Sequence, residues 1–100
     1  MARIEDQDEL ERIRLNQETA RIAWIELQRF FAQGKVIRVQ DGLDLIEIAR
    51  LVARDDAPSI ARELSRGTVA QVTDEQARRW FETQASLWAV VVKPWILVQE

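Results

Sequence analysis

The closing stretch LWAVVVKPWILVQE, Leu87 to Glu100, constrains the fold more than any other part of the chain. Two apolar runs rich in Val, Ile and Trp flank a Lys93-Pro94 break, and short runs of β-branched and aromatic residues read as strands. Side chains alternate along a strand, so Trp88, Val90 and Val92 share one face and Ala89 and Val91 the other. Both faces are apolar, and such a strand is buried on both sides or meets a partner. Pro94 cannot donate to a ladder and argues for an edge or a bulge. An apolar edge left open pairs readily with another chain. The expectation is self-association into a homodimer through this segment, with Trp88, Val91, Trp95 and Leu97 as the candidate interaction surface. The competing arrangement has the N-terminal helix covering the second face within one chain.

Upstream, QETARIAWIELQRFFAQ (residues 17–33) repeats apolar residues at helical spacing: Ala20, Ala23, Trp24, Leu27, Phe30 and Phe31. Gly34 stands where a left-handed cap would end that helix. Leu10 and Ile13 continue the spacing, which predicts one long, bent helix from near Glu5; the alternative is a fresh helix capped by Asn16. KVIRVQ (35–40) reads as a strand and Asp41-Gly42 as a turn. Asp44 and Glu47 have capping-box spacing, Leu43 and Ile48 that of a hydrophobic staple. The helix they open buries Leu45, Ile48, Ala49 and Val52 and ends near Arg54. A short helix follows in DDAPSIARELSRG (55–67), with Pro58 in its first turn and Asp55 and Asp56 at its positive end. TVAQV (68–72) is a further strand. Thr73 and Gln76 then open a helix that carries Ala77, Trp80 and Phe81 inward.

Two of these segments echo each other. GKVIRVQD from Gly34 and GTVAQVTD from Gly67 share Gly-x-Val-x-x-Val-x-Asp at a separation of 33 residues. Each follows one helix and precedes another, so the unit is helix, Gly, strand, turn, helix. With only two copies a solenoid is not expected. The reading is an α+β fold of about four helices on a small three-stranded sheet, built around this duplication. Residues 1–14 form an N-terminal helical or frayed extension and residues 15–100 a single domain.

Composition narrows the function classes. A chain of 100 residues, 47% hydrophobic and 31% charged, suits one globular domain. The net charge of −3, with basic and acidic residues mixed, argues against nonspecific nucleic-acid binding. There is no Cys, His or Tyr, which removes thiolate chemistry, imidazole ligation and the usual general base near neutral pH. Ser59, Ser65 and Ser86 lie in no nucleophile motif, and the three glycines are isolated, so no phosphate loop is present. The carboxylates Asp41, Asp44, Glu47, Asp55 and Asp56 could serve a hard cation only if they converge. Asp44 and Glu47 fit capping, and Asp55 and Asp56 fit a helix start. No cofactor or metal site is expected, nor an enzyme. No apolar stretch reaches the ~20 residues that span a bilayer, and the N-terminus lacks a signal-peptide core.

At LNQETARIAWIELQRFFAQGKV, LDLIEIA, VTDEQARRW and LWAVVVKPWILVQE the chain resembles a family of small bacterial proteins, DUF2288, over roughly residues 15–100. The resemblance implies a bacterial, cytoplasmic protein and carries no activity or functional residue with it. The function expected is that of a non-enzymatic interaction or regulatory protein, dimeric through its C-terminal strand. One rival is a nucleic-acid-binding regulator using Arg50, Arg54, Arg62, Arg66, Arg78 and Arg79. Another is a small ligand-binding protein or enzyme with a carboxylate-lined site between the two repeats.

Overall fold

A computed structural model describes residues 4–100, with side chains from Gln7 onward. Among the described residues, five helices surround one five-stranded mixed sheet. In chain order these are α1 (Ile4–Glu18), β1 (Ala20–Ala23), α2 (Trp24–Ala32), β2 (Val36–Val39), α3 (Leu45–Ala53), α4 (Ala57–Arg66), β3 (Val69–Gln71), α5 (Asp74–Glu82), β4 (Ser86–Val92) and β5 (Trp95–Gln99). The α+β class is as expected; the count of four helices and three strands is not.

Two features account for the difference. The expected long N-terminal helix is broken after Glu18, and Ala20–Ala23 leave it to pair with β4 as an edge strand. The Thr19 hydroxyl donates to the Leu15 carbonyl one turn back, at the end of α1. Helix α2 then starts at Trp24 with no side-chain cap: Ala23 occupies the cap position, and the Trp24 amide donates to the Ala85 carbonyl at 2.9 Å. A carbonyl from a neighbouring segment thus does the work of a capping residue, so the local sequence carries no start signal. The second feature is the terminal segment. It is a hairpin of two strands, with Lys93 and Pro94, joined by a cis bond, between the Val92 and Trp95 pair.

The sheet order is β1-β4-β5-β2-β3, with β2 and β5 parallel and the other neighbours antiparallel. The C-terminal strand is therefore the central one, paired on both sides. Alternation along the strands feeds two cores. On the first face Trp24, Leu27, Ala77 and Trp80 from α2 and α5 pack on Val36, Leu87, Ala89, Ile96 and Val98. On the second, Leu15 of α1 and Leu45, Ile48 and Ala49 of α3 pack on Val39, Val69, Val90, Val92 and Leu97. The apolar character of both faces of the terminal strands thus has an intramolecular cause: helices cover each side. At a few tens of cal/mol per Å² of apolar surface, this double burial is the main favourable term in folding.

The echoed motif has a matching local structure. Gly34 and Gly67 both adopt left-handed backbone, φ +75° and +73°, at the ends of α2 and α4. In each copy the two valines, three residues apart, enter opposite cores: Val36 and Val72 the first, Val39 and Val69 the second. The strands β2 and β3 are antiparallel neighbours, with Val39 opposite Val69. The caps also form as expected at Thr73 and Gln76, which exchange both capping-box bonds. Asp44 caps α3 through the amides of Ile46 and Glu47, but the Glu47 side chain turns to Arg12 and Arg50 instead of completing the box. Phe81, expected inward, is exposed beside the buried Trp80. No described helix is long and apolar enough to cross a membrane.

Candidate functional site

The four residues expected to form one interaction surface are separated by the fold. Leu97 is fully buried in the second core, and Trp95 is half-buried. Trp88 and Val91 remain 42% and 49% exposed, but they project from opposite faces of β4. Trp88 stands opposite Arg21 of β1, whose guanidinium lies 5.2 Å above the indole ring and donates to the Ser86 carbonyl at 3.0 Å. This cation–aromatic stack fixes Trp88 at the margin of the sheet.

The arginines are mostly engaged. Arg50 reaches Asp8, Glu11 and Glu47, Arg54 pairs with Asp8 and Glu11, and Arg12 returns from α1 to Asp44 and Glu47. These charges clamp α1 onto α3 rather than form an open basic surface. Arg66 pairs with Glu63, Arg78 with Glu82 and Arg79 with Glu100, whose carboxylate also accepts from the buried Trp80 indole at 2.9 Å. Arg62 has no ion pair among the described residues.

The carboxylates are likewise absorbed locally. Burial alone would raise the Asp44 carboxyl, but the amide of Glu47, the Arg12 guanidinium and the amide of Ile46 outweigh it and hold the group below its ordinary value. Asp56 caps α4 and accepts from Ser59. Among the described residues no three metal-binding side chains converge.

The sheet has two edge strands among the described residues, β1 and β3. Among the described residues β1 pairs with β4 alone, so its outer edge is open. Beside it runs a groove of about 570 Å³ between the start of α2 and the end of α5, lined by Ala23, Trp24, Ile25, Trp80, Phe81 and Ala85 together with the polar Glu82 and Gln84. Ile25 and Phe81 at its rim are 67% and 54% exposed. At its base Trp24 and Trp80 meet edge to face with centroids 5.1 Å apart, and the buried Trp24 indole N–H has no acceptor among the described residues. The open strand, Ile25 and Phe81 were all missed in the sequence. A signal existed: the helical reading of residues 17–33 left Ile22 and Ile25 off the apolar stripe.

The comparisons with known proteins agree with one another. The NMR solution structure of PA1075 from Pseudomonas aeruginosa is similar to the whole chain: 40% identity, TM-score 0.79, covering 100% of this chain and 93% of that one. No curated protein matches. The family model described as "Protein of unknown function (DUF2288)" matches residues 11–100, from within α1 to the residue after β5, and the chain belongs to that family.

Proposed function

We propose that this chain is a non-enzymatic interaction protein that works as a homodimer, and that its contact surface lies on the β1 side of the sheet. One observation carries the reading: the open edge of β1 adjoins an apolar groove whose rim carries the exposed Ile25 and Phe81, while the exposed Trp88 stands one strand in, on the other face of the sheet. Exposed apolar surface next to an unpaired edge is where a second chain gains most from docking. The C-terminal hairpin contributes to that surface through Trp88 alone, because β5 is saturated by β4 and β2. Ion pairing of Arg50 and Arg54 to α1 draws support away from a nucleic-acid role. The lack of His, Cys and Tyr supports a role without chemistry. A bacterial cytoplasm is taken as the working compartment, following the family resemblance.

The test is sedimentation velocity of the full chain over a wide concentration series. The reading expects a dimer that dissociates on dilution and is weakened by Trp88→Glu, an exposed change that leaves the cores intact. A single monomeric species up to several hundred micromolar would overturn it.

A further inference from the structure

The ladder pattern says which way the backbone of β1 faces. The Trp24 amide donates to the Ala85 carbonyl, so Trp24 and Ala85 are hydrogen-bonded partners. The register continues as Ala23 with Ser86, Ile22 with Leu87, Arg21 with Trp88 and Ala20 with Ala89. In an antiparallel ladder bonded and non-bonded pairs alternate. Ala20 and Ile22 therefore direct their amides and carbonyls to β4, and Arg21 and Ala23 direct theirs outward, to the open edge.

Resting on the homodimer reading above, we infer that two copies of this chain join β1 to β1 in antiparallel register about a two-fold axis at Ile22, which makes one continuous ten-stranded sheet. The register follows from the outward groups. Centred on Ile22, Arg21 of each copy faces Ala23 of the other, and both residues exchange N–H and C=O bonds, so all outward groups of the strand are used. Centred on Arg21, the two guanidiniums would stand directly opposite, which is unfavourable. Centred on Ala23, Arg21 would meet Ile25, which is already helical. A second copy presents the same outward amides and carbonyls in the register that pairs them, and a two-fold contact uses the same patch twice. Ile22 meets its own symmetry mate as a non-bonded pair, extending the first core across the axis. Ile25 and Phe81 lie beside the junction on that face, and Trp88 lies one strand in on the other.

Two variants test this in the full chain. Ala23 has φ −65°, the value proline imposes, and its amide points away from β4. Ala23→Pro therefore removes an outward donor while leaving every ladder bond of the monomer in place. The chain has no cysteine, so Ile22→Cys supplies the single thiol, placed on the axis. Non-bonded antiparallel partners have Cα atoms about 4.5 Å apart, within disulfide reach. Ala20→Cys is the control: its symmetry mate would lie four residues along the strand, about 13 Å away. The expected result is a folded, monomeric Ala23→Pro protein, with circular dichroism like the wild type, and mild oxidation that cross-links Ile22→Cys at least tenfold faster than Ala20→Cys. A wild-type dimer that survives Ala23→Pro, or equal cross-linking at both positions, would overturn the strand junction and leave the dimer to another surface. A wild type monomeric at every concentration would overturn both.

Discussion

Replacing Arg50 by Ala tests whether the arginines of α3 hold the fold or serve a ligand. The Arg50 side chain is only 11% exposed and meets Asp8, Glu11 and Glu47, which are 36%, 25% and 45% exposed. Exposed ion pairs contribute about 0–1 kcal/mol, whereas breaking a buried pair costs about 3–5 kcal/mol. A part-buried cation with half-exposed partners falls between, at about 2 kcal/mol, part of it lost packing of the aliphatic stem. Arg54 is 43% exposed and shares Asp8 and Glu11, so Arg54→Ala should cost under about 1 kcal/mol. Arg62→Ala, with no ion partner among the described residues, should cost close to nothing. The assay is urea unfolding followed by Trp fluorescence. With a slope of about 1.5 kcal/mol per molar, Arg50→Ala should lower the midpoint by roughly 1.3 M. Adding 1 M salt should shrink the Arg54 effect far more than the Arg50 effect, because exposed charges are the better screened. If Arg50→Ala costs no more than Arg62→Ala, the clamp between α1 and α3 does not stabilise the protein and the reasoning fails.

Other outcomes follow from the same geometry. Leu97→Ala, at the fully buried centre of the sheet, should destabilise by about 2–5 kcal/mol in the same urea assay. Gly67→Ala places a side chain on backbone at φ +73° and should cost about 1 kcal/mol despite open space around it, seen as a lower thermal midpoint. Asp44 has a lowered folded-state value, so the unfolded chain binds the proton more readily; its contribution is complete above about pH 4 and lost as pH falls further. Asp44→Asn should flatten that acid limb of the stability curve, and an unchanged limb would contradict the capping and Arg12 contacts.

Elements whose signals are local were legible in the sequence. The caps at Asp44 and Thr73, the left-handed glycines and the strands at Val36 and Val69 each depend on neighbours a few residues away, and each formed where expected. What escaped depends on distant contacts. Trp24 begins a helix because the Ala85 carbonyl receives its amide, 61 residues on, and no nearby residue announces it. β1 reads as helix because its alanines suit either period; pairing with β4 decides the matter. The two apolar faces of β4 and β5 signalled double burial correctly, yet the same pattern fits an interface or a covered sheet. Leu15, Leu45 and Ile48 supply the cover on the second face. The arginines posed the same ambiguity, since their acidic partners on α1 become visible only once α1 and α3 lie side by side.

The most direct test of the account is residue-resolved amide exchange on β1 by NMR at two protein concentrations. A β1 junction predicts that the Arg21 and Ala23 amides are protected in concentrated solution and exchange freely on dilution, while the Ile22 amide, bonded to β4, is protected at both. Arg21 and Ala23 amides that exchange freely at every concentration would contradict it.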